Sequence, residues 1–466
     1  MTTQAAQAGP NSGPNSGAET KLSPKHAVPI ILFTFVFSLI IDNGFKFMTD
    51  PMGEALGLSL NEVSLQASLA GVIIGIGAVV YAALADVVSI RKLLLVGIVL
   101  TLIGSLIGYF GQSSWPLVLT GRIIQTTGLA AAETLYVIYV TKHLAPKDQK
   151  TYLGFSTAAF QAATLFGALT SGYIATQVSW TAMFLVPLVL VLAIPVILKT
   201  VPEEASLESG HVDWIGLGLI AVLATSAIMF MQAFNWWWLL PCIAAVVLFV
   251  MYVKNGKRPL VNPEFFQNRP YVTAIILVFI VYSVQLGYLV LFPAMAKQVH
   301  GLTADTASYL LIPGYTAAIL VGVFSGQIGK FLPTRPAIFT ALSSIVVALL
   351  IVAFFMQAGP WVFVVSSLLF ASGFALLYAP LVATAIGNIP PAKSGIAIGF
   401  YNLTINLAVP LGIAYSAKLA DLGLPTPSFL PDNAGTYPMV MLILAAIAVA
   451  GTLLYAAMTA RMKQPA

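Results

Sequence analysis

Asp42 and Lys46 are ionisable residues set inside an apolar stretch, 30–51, that reads IILFTFVFSLIIDNGFKFMTDP. An ionised side chain in hydrocarbon costs at least about 2.5–3.5 kcal/mol on insertion scales, so such residues normally face a cavity or each other and mark a pathway. One helical turn separates the two, which places them on one face and lets them neutralise each other. Two readings follow: an ion pair that only orients its helix, or a charged lining for a transport cavity. Changing Asp42→Asn together with Lys46→Gln separates them, because a purely structural pair leaves transport intact.

A second set lies within the apolar stretch 116–141, where Arg122, Gln125 and Glu133 interrupt the run. Arg122 and Glu133 are spaced to return within about 20° of one helix face, roughly 16 Å apart along the axis, so they share a face without touching. Counting depth at about 1.5 Å per residue puts Asp42 and Lys46 level with Arg122, and Glu133 further toward the opposite end. A cluster of Asp42, Lys46 and Arg122 is therefore expected, with Glu133 unpaired. An unpaired carboxyl in a low-dielectric site favours its neutral form and is suited to exchanging a proton. Glu133 is the first candidate for proton carrier and Asp42 the second; the alternative is a permanently protonated Glu133 hydrogen-bonded across helices. Uncharged candidates for a ligand cavity are Gln161, Tyr282, Gln285, Tyr288, Tyr401, Asn402 and Asn406. For each, hydrogen bonding between helices competes with ligand contact.

The elements that must position these residues are membrane spans. Of 466 residues, 59% are hydrophobic and only 8% charged, against about 25% charged in soluble domains. Apolar runs and their breaks predict fourteen helices, near 27–50, 62–85, 93–112, 116–141, 151–176, 180–200, 214–233, 236–254, 270–296, 303–329, 336–357, 361–385, 393–418 and 437–460. The loops around 201–212 and 255–269 divide them as six, two and six. The expected organisation is a disordered cytoplasmic tail at 1–26, an N-terminal six-helix bundle at 27–200, linker loops with two extra helices at 201–269, a C-terminal six-helix bundle at 270–460 and a short tail at 461–466. The two extra helices carry no ionisable residue in their spans and are read as lipid-facing scaffolding. Lys and Arg concentrate in alternate loops, with only Lys297 and Lys418 on the other side, which predicts that both termini are cytoplasmic.

Other classes of protein fit poorly. The net charge of +5 is spread over short loops rather than gathered in a patch, so nucleic acid is not an expected partner. A single cysteine, Cys242, forbids an intramolecular disulfide or a cysteine metal site. His26, His143, His211 and His300 are scattered, and no phosphate-binding or metalloprotease signature occurs, so neither metal, nucleotide cofactor nor enzymatic activity is expected.

Several motifs resemble the fourteen-helix drug:proton antiporters of the major facilitator superfamily, the group of tetracycline, quaternary-ammonium and quinolone exporters. Ile41-Asp42 through Pro51 is similar to that group's first-helix motif, with Lys46 where a small apolar residue is usual. The stretch from Ala82 through Asp86 and Ser89 to Arg91 and Lys92 resembles its gating loop, both glycines being replaced. Gly121-Arg122-Ile-Ile-Gln125-Thr-Thr-Gly128 is similar to its fourth-helix motif, and Glu133 stands where proline is usual. Gly167 to Gly172 lacks the proline of its fifth-helix bend. Gln298-Val-His300-Gly301 with Pro313-Gly314, and Asn388-Ile-Pro390 through Gly399 to Asn402, resemble its second half.

The resemblance implies a major facilitator fold in a plasma membrane, an arginine at Arg122 that takes part in proton coupling, a gate at Asp86, Arg91 and Lys92, and a probable monomer in the bilayer. The implied function is export of a bulky, amphipathic small molecule such as an antibiotic in exchange for protons, the proton being the coupling ion and no cofactor being needed. Glu133, Asp42 and Arg122 carry the coupling. Asp42, Lys46, Arg122, Gln125, Glu133, Gln161, Tyr282, Gln285, Tyr288, Tyr401, Asn402 and Asn406 form the expected substrate set. Alternatives on the same fold are a lipid or metabolite exporter, a proton symporter in which Lys46 and Arg122 clamp an anion, and a receptor that binds ligand without flux.

Overall fold

A computed structural model describes residues 24–85, 88–144, 146–203, 213–255, 267–387, 389, 394–430 and 434–461. Asp86, expected in the gate, lies outside the described residues, as does most of the N-terminal tail.

The first half comprises α1 (Val28–Phe47), the short α2 (Thr49–Leu56), α3 (Leu60–Leu84), α4 (Ile90–Phe110), α5 (Trp115–His143), α6 (Pro146–Gln177) and a 3-10 segment, Trp180–Leu192, that runs into α7 (Ala193–Thr200). Next come α8 (Trp214–Ala233) and α9 (Leu239–Asn255). The second half comprises α10 (Arg269–His300), α11 (Ala304–Tyr309), α12 (Ile312–Val323), α13 (Ser325–Phe331), α14 (Thr334–Phe355), α15 (Trp361–Ile386), α16 (Ser394–Asp421) and α17 (Tyr437–Arg461). Among the described residues, thirteen stretches are long and apolar enough to cross a membrane. The segment expected at 151–176 is the helix α6, which is not among them. The chain is an all-α, multi-pass membrane protein.

Local chemistry sets the helix ends. Ser89, Asp213 and Asn268 accept hydrogen bonds from the backbone N–H groups of Lys92, Gly216 and Tyr271, capping α4, α8 and α10. Two expected helices differ in detail. The span expected at 180–200 begins as a 3-10 helix containing Pro187, whose missing N–H removes a rung of the α ladder. The span expected at 303–329 is broken into three pieces, the first break falling at Leu310 and Leu311 just before Pro313. Proline's ring crowds the residues before it and favours such a stop.

Each half has its own apolar core. In the first half, α4 and α5 approach so closely that a Cβ on Gly104 would fall on the Gln125 backbone, and one on Gly128 on the backbone of Gly97. The halves meet along α3 with α16, α6 with α11 and α12, and α1 with α10. Pro410 and Asn406 of α16 press against Gly71 and Gly75 of α3. Helix α8 packs on both α3 and α16, burying Ala224 and Ile228 with Val72 and Ala414. It therefore covers a seam between the halves as well as facing lipid, while α9 is largely exposed.

Hydrogen bonds and ion pairs between the halves gather at the end that is outer by the charge rule. Glu54 pairs with Lys297. The backbone N–H of Asn61 donates to Asp421 at 3.2 Å. Gln177 donates to the Asp305 carboxylate at 3.2 Å, and the Asp305 N–H donates to Thr176 at 3.2 Å.

Candidate functional site

Helix α1 carries Asp42 and Lys46, which form a buried ion pair. Arg122 of α5 approaches the second oxygen of the same carboxylate, Nη2 to Oδ1 at 3.3 Å. Asp42 is thus shared by two cations, and the expected cluster forms. The remaining guanidinium donors are also used. Nε donates to Gln66 Oε1 at 3.0 Å and Nη1 donates to Gln125 Oε1. The guanidinium also lies over the Phe45 ring, 4.1 Å from its centroid, an attraction between a cation and the negative ring face.

The amides extend the network. Gln125 donates to Ser105 at 2.9 Å, and Gln66 donates to the Phe45 carbonyl at 2.9 Å and to Thr49 at 3.2 Å. Arg122 is 1% exposed and Gln66 1%, so these groups have no water to fall back on. Gln66 is the member that residue-by-residue reading of the sequence passed over. It sits near the start of α3 among apolar neighbours, and a buried glutamine facing an arginine was its only available signal.

Glu133, further along α5, is half-buried and its Oε1 has no hydrogen-bond partner. It lies within electrostatic range of both Asp42 and Lys46 without contacting either. The expected separation of Glu133 from Arg122 matches this arrangement.

The second half contributes aromatic and amide groups rather than charge. Gln161 and Thr164 of α6, Gln285 of α10, Tyr315 of α12, and Phe370 and Phe374 of α15 line a narrow cavity between the halves. Tyr282 stacks edge-on against Phe374, with centroids 5.6 Å apart, and Tyr288 lies 4.6 Å from Phe370 and donates to Ser366. The Tyr378 hydroxyl donates to Asn402 at 3.4 Å, and the buried Tyr401 hydroxyl interacts with that of Tyr282. Gln161 and Gln285 therefore share one cavity, Tyr282 and Tyr288 support its wall, and Asn406 lies at the α3–α16 seam. Asp42, Lys46, Arg122 and Gln125 are packed inside the first half and do not line that cavity.

At the opposite end from Glu54, Arg91 and Lys92 face Glu203 after α7, at 3.8 and 2.9 Å. The Lys92 hydrogen bond holds the exposed Glu203 carboxyl below its ordinary range, with Arg91 contributing less.

The buried carboxylate–guanidinium network thus lies within the first half, and the narrow aromatic cavity lies at the junction with the second. The family model of the Major Facilitator Superfamily matches residues 31–413. This chain belongs to that superfamily. Its curated relatives include the quinolone resistance protein NorB of Staphylococcus aureus strains MRSA252 and MW2. Each is 24% identical over 413 residues, covering 84% of this chain and 86% of that protein. Among solved structures, a POT family transporter in complex with a thioalcohol-conjugated peptide superposes with a TM-score of 0.71 at 13% identity, covering 96% of this chain and 99% of that one. A D-xylose–proton symporter superposes with a TM-score of 0.64 at 17% identity, covering 93% and 96%. The fold is that of the superfamily, and the protein is a membrane transporter.

Proposed function

We propose that this transporter is a drug:proton antiporter of the plasma membrane, exporting bulky amphipathic molecules by alternating access. The observation that carries the reading is the unpartnered Glu133 carboxyl beside the Asp42–Lys46–Arg122 cluster. It is the one described acid in electrostatic range of that cluster with an oxygen left over for a proton or a substrate cation. The quinolone resistance of the relatives supports export of drug-like compounds.

In this reading Glu133 exchanges the proton, Asp42 bridges Lys46 and Arg122, and Arg122 transmits the charge state to Gln66 and Gln125. The cavity with Gln161, Gln285, Tyr282 and Tyr288 takes the flat, apolar body of the substrate, because aromatic walls accept many shapes. Tyr401, Asn402 and Asn406 extend that surface along α16. Arg91 and Lys92, with Asp86, act at the cytoplasmic gate. Protonation favours one conformation and substrate the other, each through differential affinity. Both termini are cytoplasmic, and the monomer is the working unit.

The test is proton movement from purified protein in pH-loaded liposomes as tetracyclines, quinolones and lipophilic cations are added in turn. Compound-triggered flux in the wild type, lost in Glu133→Gln, is expected. Full pH-driven export by Glu133→Gln overturns the role given to Glu133.

A second reading, cotransport of an anionic solute with protons, draws on the cluster's charge. Two cations share one carboxylate, so with Glu133 neutral the buried site holds one excess positive charge. Anionic amphiphiles in the same panel separate the readings, since under one inward proton gradient cotransport accumulates the solute inside and antiport expels it.

A further inference from the structure

Outward of the charged cluster, α2 continues from α1 and carries Asp50 and Glu54, one helical turn apart. Glu54 spans the junction to pair with Lys297 at the end of α10. Asp50 is half-buried beneath that pair. It interacts electrostatically with Glu54 and Lys297, and with Tyr437 at the start of α17, which also senses Asp421. Asp421 in turn accepts the hydrogen bond from Asn61 that ties α3 to α16. Asp50 thus sits within electrostatic reach of two residues of the other half, Lys297 and Tyr437. On the elements packed against α2, the other charged or titratable groups, tyrosines aside, are Asp42 and Lys46 of α1, with Asp42 shared between Lys46 and Arg122, Glu62 of α3, which accepts from the Ser59 N–H, and on α10 His300, which bonds the Met356 carbonyl, and Arg269 at the far end of that helix. The 3-10 segment against α2 carries none.

From this placement we infer that Asp50 is a second proton-binding site of the transport cycle, taking its proton from the outer side as the two halves close over it. The inference rests on the proton-coupled reading above, but it concerns a different carboxyl and a different step. When the outer ends part, Lys297 withdraws with its half and water reaches Asp50. When they close, Asp50 is taken from water while Glu54 stays one turn away on the same helix, and a charge on Asp50 then opposes closure.

The sign follows from the closed state. Burial first, and Glu54 second, raise the Asp50 carboxyl to about 6, with Lys297 opposing. An open, hydrated carboxyl titrates near 3.9. The closed state therefore binds the proton more tightly, and closure is favoured as pH falls from about 7 toward 4. Between pH 7.5 and 5 this difference predicts an increase of about tenfold in the closed-to-open ratio.

The experiment measures the distance between spin labels on Gln112→Cys and Ser428→Cys, on exposed outer loops of the two halves, in the Cys242→Ala protein in lipid nanodiscs. The closed-to-open ratio is expected to rise about tenfold from pH 7.5 to 5, the rise setting in near pH 6. Asp50→Asn is expected to hold a high closed fraction that no longer changes, and Asp50→Glu to restore the pH response. An identical titration in the wild type and Asp50→Asn overturns the proposal. Loss of the response in Glu133→Gln with Asp50 intact also overturns it, by assigning the effect to the other carboxyl. If Glu133→Gln keeps the response while liposome flux shows no proton coupling, the transport reading fails and the Asp50 site stands.

Discussion

Arg122 gathers the site because no single partner could satisfy it. A guanidinium carries five donors in a rigid fork; here each of its three nitrogens donates to a different partner, Gln66, Gln125 or Asp42, while the Phe45 ring covers its face. Removing one acceptor leaves a buried donor on a charged group, a change of about 1–3 kcal/mol or more. Gln66→Leu is therefore expected to lower the thermal unfolding temperature in detergent and to impair transport. Gln161→Leu, in the cavity wall, is expected to leave stability nearly unchanged and shift substrate affinity instead. Equal loss of stability in the two would contradict the distinction. The sequence showed that Asp42, Lys46 and Arg122 were costly residues that needed one another. It did not show Gln66, because a glutamine in an apolar helix has the same local signature whether it faces lipid, another helix or a guanidinium.

At the scale of elements, the glycines of α4 and α5 keep the coupling helix in place. A side chain at Gly104 would meet the Gln125 backbone, the residue whose side chain holds Arg122. Gly104→Ala is expected to push α4 from α5, destabilise the protein and weaken coupling together. Gly218→Ala on α8, where an added Cβ meets nothing within 4 Å, should be neutral or slightly stabilising, by up to about 1 kcal/mol, because alanine favours helix. Melting curves of the two variants check the contrast. Helix positions followed from runs of apolar residues and the breaks between them. The breaks near Pro313 and the 3-10 turn at Pro187 were not predicted. A proline's effect in a span depends on whether neighbouring helices supply the missing hydrogen bond.

At the scale of the molecule, the contacts at the end that is outer by the charge rule join two bundles whose cores are largely distinct, the second also taking in Phe47, Ala67, Leu165 and Ala168 of the first. Glu54–Lys297 and the Asp305 contacts are exposed and polar, and isolated exposed ion pairs contribute little to stability. Such contacts suit a gate that must open. A disulfide between Glu54→Cys and Lys297→Cys, in the Cys242→Ala protein, is expected to abolish substrate exchange, with recovery on reduction. Unchanged exchange in the cross-linked protein would mean that this end does not open during transport.

The sequence by itself determined that the chain crosses a membrane many times, that the ionisable residues inside its spans fall mainly on α1 and α5, and which superfamily its motifs resemble. These are properties of composition, local periodicity and short spacings, and they are written along the chain. Only the tertiary structure decided that Gln66 completes the arginine's shell, that Gln161 and Gln285 meet across the two halves, that α8 closes a seam, and that Asp50 lies under a bridge to Lys297. Each joins residues far apart in sequence through the packing of whole helices, and helix packing depends on shape over many side chains rather than on any motif.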